Sequence, residues 1–120
     1  MSWDIFIQDL PNVRSMSEVP ADHVPAPIGA LEPLMASILE VLPFAVRQDR
    51  DWLFATGDDI DLSMQFHLEQ GDQVRYITVH IHGGEQSAVC VGEILRHTGL
   101  RAVDSRTADF FDGYSLEEGL

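Results

Sequence analysis

The sequence predicts an α+β fold, a two-layer sandwich in which a mostly antiparallel sheet of about five strands carries two helices on one face. Three observations predict it. Apolar and polar residues alternate from Ile60 to Leu68 and again from Tyr76 to His82 within the stretch that begins at Val74, the period of a half-buried strand. Leu31, Leu34, Met35, Ile38, Leu39 and Leu42 recur at the spacing of an amphipathic helix. After Gly83-Gly84 the period changes from strand to helix, with Ala88, Val91, Ile94 and Leu95 on one face.

In chain order, Trp3 to Leu10 reads as a first strand, with Trp3, Ile5 and Ile7 facing one way and Asp4, Phe6 and Gln8 the other. Phe6 on the polar side suggests partial cover on both faces. Pro11 ends the strand, because proline cannot donate to a ladder. Asn12 to Pro27, with Pro20, Pro25 and Pro27, reads as an extended surface connection that Met16, Val19 and Val24 pin to the body. The first helix begins near Ala30 to Glu32, because Pro33 is tolerated only in a first turn, and Pro43 stops it. Phe44 to Asp51 reads as a polar connection. Trp52 to Thr56 is a short strand, Gly57-Asp58-Asp59 a hairpin turn, and Glu69 to Gln73 a second turn. The second helix closes with Arg96 and His97 in its last turn and Gly99 beyond. Leu100 to Asp104 supplies a last strand. The order is therefore β-α-β-β-β-α-β. Residues 1–111 read as one domain, and 112–120 as a flexible acidic tail.

Twenty acidic groups against seven basic ones give a formal charge of −13 over 120 residues. Such a surface repels nucleic acid and anionic membrane and attracts a basic protein. No apolar run is long enough to span a bilayer. The lone cysteine, Cys90, and an opening without a basic and apolar leader fit a cytoplasmic location.

The opening Met-Ser-Trp-Asp-Ile-Phe-Ile-Gln-Asp-Leu-Pro, the Pro-Ala-Pro-Ile-Gly before the first helix, the Gly-Gly before the second, and the closing Gly-Leu-Arg-Ala-Val-Asp-Ser with Thr107 and Phe110-Phe111 resemble a family of small bacterial single-domain proteins of uncharacterised function. The resemblance covers positions 1 to 111. It implies a stand-alone bacterial domain and carries over no substrate or catalytic residue.

His80 and His82, two apart on a strand, point to one face. A hairpin closing around Glu69–Gln73 would set Ser63 opposite His80 and Asp61 opposite His82. His80, His82 and Asp61 are then candidate ligands for a divalent metal such as zinc, the one cofactor the sequence suggests. Gly83-Gly84 lacks the lysine and the glycine spacing of a phosphate loop, and Glu85 would repel an anion there. No basic residue lies within a turn of Cys90, so its thiol is expected to be inert. The serines have no elbow motif, and Asp58, Asp59 and Asp61 do not follow a calcium-loop pattern.

The acidic excess gathers on the meander, at Asp49, Asp51, Asp58, Asp59, Asp61, Glu69 and Asp72. The leading expectation is a non-enzymatic binding protein of the immunity or inhibitor type. Asp58, Asp59, Asp61, His67 and Asp72 are its candidate contacts to a basic protein partner. The alternative is a small metal-binding protein or metal-dependent enzyme centred on His80 and His82. A third reading is a homodimer joined through Phe110 and Phe111 or the first helix.

Overall fold

A strand with one apolar face can bury that face only against another layer. The computed structural model, which describes residues 3–10 and 15–111, places two helices there. The elements are β1 (Trp3–Gln8), β2 (Gly29–Ala30), α1 (Leu31–Val41), β3 (Val46–Gln48), β4 (Trp52–Gly57), β5 (Ile60–Leu68), β6 (Gln73–Gly83), α2 (Glu85–Thr98), β7 (Arg101–Asp104) and β8 (Phe110–Phe111). Seven strands lie in the order β3-β4-β5-β6-β1-β7-β8, every pairing antiparallel. β2 takes up the edge of β6 where β1 runs out, pairing with Val74 and Gln73.

The α+β class and the seven expected elements are present: β1, α1, β4, β5, β6, α2 and β7. The strand count is corrected by three short additions, β2, β3 and β8. Each is two or three residues long, too short to show a period. β3 lies inside the stretch expected to be a polar connection. The expected tail, 112–120, falls outside the described residues.

One cluster forms the core. Ile5 and Ile7 of β1, Leu53 and Ala55 of β4, Leu62, Met64 and Phe66 of β5, and Ile77, Val79 and Ile81 of β6 are buried against Leu31, Met35 and Ile38 of α1 and Val91, Ile94 and Leu95 of α2. Each fully buried side chain contributes about 1.5–3 kcal/mol. The Leu31 N–H, an orphan donor at the start of α1, bonds to the Asp72 carbonyl at 2.8 Å, so the β5–β6 turn caps the helix. Gly99 ends α2 with φ 73°, the left-handed cap that glycine adopts at little cost.

The β4–β5 turn fixes the other end of α2. The Asp59 carbonyl accepts the Gln86 N–H at 2.9 Å. Gly84, at φ 85°, lies so close that a Cβ there would collide with the Asp59 backbone. The second glycine of the pair is thus required by a close approach.

The long connection is held differently from the expectation. Val24 is 80% exposed and pins nothing. The Asp9 carboxylate accepts the Ala26 N–H at 2.9 Å, and His23 lies 3.4 Å from the Asp9 carbonyl. At the far end of the sheet, the Trp3 indole N–H donates to the Asp104 carboxylate at 2.8 Å, and Arg106 lies over the indole ring and bonds the same carboxylate. Burial works against the Asp104 charge, yet the Arg106 side-chain and backbone bonds and the Trp3 bond outweigh it and hold the carboxyl below its usual range.

Candidate functional site

No described helix covers the other face of the sheet. Parity puts Asp4 and Phe6 of β1, Trp52 and Phe54 of β4, Ser63, Gln65 and His67 of β5, and Tyr76, Thr78 and His80 of β6 on it. It is not a plain wetted surface. Trp52 stacks on Phe54 with centroids 5.7 Å apart and on His80 at 6.3 Å. His67 stacks on Tyr76 at 4.2 Å, and Phe6 meets Tyr76 edge-on at 6.4 Å. All these rings are half-buried. Val46 of the edge strand, 58% exposed, sits opposite Phe54 and extends the patch.

His80 and His82 do share this face, with ring centroids 6.4 Å apart. Ser63 is opposite His80, as the hairpin geometry predicted. Asp61 is not opposite His82. A register shift between Asp61 and Leu62 sets Asp61 against Gly83. Ser87 of α2 sits at the shift. Its hydroxyl is fully buried, donates to the Gly83 carbonyl at 2.7 Å and accepts the Asp61 N–H at 2.9 Å. That bond takes the Asp61 N–H to the helix, and the strand bulges there.

The carboxylate that does reach the pair is Asp4, whose Oδ1 lies 2.9 Å from His80 Nδ1. His82 Nε2 instead meets the Ser63 hydroxyl at 3.3 Å. Serine and carboxylate therefore engage different imidazoles, and no serine–histidine–aspartate relay is formed. Among the described residues no group of three or more His, Cys, Asp or Glu is placed to hold a metal ion.

The candidate partner contacts are scattered. Asp58, Asp59 and Asp61 cluster at one end of β5, all exposed, and Asp72 lies beyond the other end. At about 3.3 Å per residue this separates them by roughly 25 Å or more. His67 lies nearer the Asp72 end and is hydrogen-bonded to Thr78 at 2.9 Å. Burial pushes the His67 pKa down, Asp51 pulls it back up, and His80 adds to the lowering. The acids thus rim the face, and rings fill it.

Cys90 is buried and its thiol is pushed up, by desolvation first and by Glu93 second, so it is protonated and unreactive at neutral pH. A depression of about 260 Å³ opens beside Phe6, lined by Gln8, Val103, Asp104, Ser105 and Ala108. Trp52, Phe54 and Tyr76 are the residues sequence reasoning did not single out. The alternation of Trp52 and Phe54 with buried Leu53 and Ala55 was the available signal. No described helix is long and apolar enough to cross a membrane. Set against protein-family models, curated proteins and solved structures, the chain matches none of them, so the site stands on its own geometry.

Proposed function

We propose that this protein is a non-enzymatic binding module of the inhibitor type, which receives a basic protein on the open face of its sheet. One observation carries the reading. Four aromatic side chains and two imidazoles lie half-buried across β1, β4, β5 and β6 with no element of the described chain over them. Tryptophan, tyrosine and phenylalanine are enriched where proteins meet, because they bury large area at little rotamer cost. The exposed carboxylates at both ends of the strands would steer a cationic surface towards the rings, raising association above the unsteered ~10⁵–10⁶ M⁻¹s⁻¹.

The test is affinity capture from cell extract with the whole chain and with a Trp52→Ala/Phe54→Ala variant, repeated across a salt series. Proteins retained by the parent at low salt should be absent from the variant and should elute as ionic strength rises. Equal retention by both chains would refute the reading.

A further inference from the structure

We propose that His80 and His82 form a two-imidazole site for a late first-row divalent metal ion, with Asp4 positioning His80. The proposal is independent of the docking reading. It uses side chains of the open face for a different ligand.

The chemistry starts from the Asp4 contact. A carboxylate accepting from an imidazole Nδ1–H fixes the tautomer and leaves Nε2 with a lone pair, the arrangement found behind most metal-binding histidines. Here the Oδ1 to Nδ1 distance is 2.9 Å, so Nε2 of His80 is the free donor. The ring is held from a second side by Trp52, stacked at 6.3 Å and 21°. His80 is thus oriented before any metal arrives.

His82 is the adjustable partner. It is exposed, and its bond to the Ser63 hydroxyl is long at 3.3 Å. A metal–imidazole bond is about 2.0–2.1 Å, so two rings flanking one ion have centroids roughly 6 Å apart, and closer when the angle bends. The present separation is 6.4 Å. Turning the exposed His82 ring off Ser63 frees its Nε2 for a shared ion. The Ser63 hydroxyl, 3.3 Å from His82 Nε2 on the residue opposite His80, adds a weak oxygen donor.

The register shift at Asp61 removes the third protein ligand expected from the sequence, leaving the remaining positions to water. Such an open two-nitrogen site orders metals by intrinsic affinity, copper(II) ahead of nickel(II) and zinc(II). The net charge of −13 adds a general attraction for cations.

Trp52 reports on the site because its ring lies on His80. The experiment is titration of the chelator-treated full chain with copper(II), nickel(II) or zinc(II) chloride, following tryptophan emission, with zinc competing against the quenching ions. One equivalent should bind, with copper tightest. His80→Ala and His82→Ala should each weaken binding at least tenfold, and Asp4→Asn by about 10–100-fold, the usual effect of losing the carboxylate behind a ligand. His23→Ala and His97→Ala should bind as the parent does. Because His82 is exposed, its variant folds, which thermal melting verifies. Parent-like binding by His82→Ala, or equal loss in His97→Ala, would overturn the assignment.

Discussion

The two faces of one sheet obey different rules. Under the helices the strands present Ile, Leu, Val and Met with Phe66, all nearly free of solvent contact. On the opposite side the same strands present Trp52, Phe54, Tyr76, Phe6 and three histidines, none of the aromatic rings fully covered. Aliphatic side chains interdigitate and gain from complete burial. Aromatic and imidazole rings lie flat, tolerate partial exposure and keep a polar edge. The first face holds the molecule together, and the second is available for encounter. Phe66 and Phe54 carry the same side chain on adjacent strands, one on each face, so they isolate the difference.

Phe66→Ala should show the largest effect. Phe66 is 1% exposed, and deleting a buried phenyl ring costs about 3–5 kcal/mol through lost transfer energy and the cavity left behind. Urea unfolding should show a midpoint lowered in proportion. A loss under 1 kcal/mol on that scale would mean that the helix layer packs otherwise. Phe54→Ala should cost about 0.75–1.5 kcal/mol, half of what a fully buried large side chain contributes. It should leave helical circular dichroism unchanged and slow or abolish partner capture. If both variants lost equal stability, the contrast between the faces would collapse.

The smallest effect concerns pH. Burial lowers the His67 pKa from the ordinary 6.5. Between that lowered value and 6.5 the unfolded chain binds a proton that the folded chain refuses, so stability rises with pH across this window. His67 is therefore fully compatible with folding above 6.5, and stability declines as pH falls towards the folded value. In His67→Gln, measured with a chelator present, this part of the slope between pH 7.5 and 5.5 should vanish. An unchanged slope would show that His67 is not desolvated on the open face.

Much of this was legible along the chain, for a physical reason. Periodicity is local, and β5, β6, α1 and α2 are long enough to repeat it. Ile60–Leu68 matches its expected bounds, and Pro33 and Gly99 mark the start of α1 and the end of α2. What was not legible depended on partners distant in sequence. At the bulge that moves Asp61 off His82, the Asp61 N–H bonds Ser87, 26 positions later, and the carboxylate behind His80 comes from Asp4, 76 positions earlier. No local pattern announces either pairing. β3 and β8 escaped because a strand of two or three residues has no period. Polar residues alternating along β5 and β6 are the pattern of a wetted face, and the rings that change its character come mainly from β4, Trp52 and Phe54.

The sheet also ends in a stub on its β3 side. The edge strand β3 offers three residues of backbone, a short ladder for a foreign strand to zip onto. At that edge a second copy finds little backbone to extend the sheet, although the open face displays exposed ring area. A visiting molecule gains little at that flank and approaches broadside.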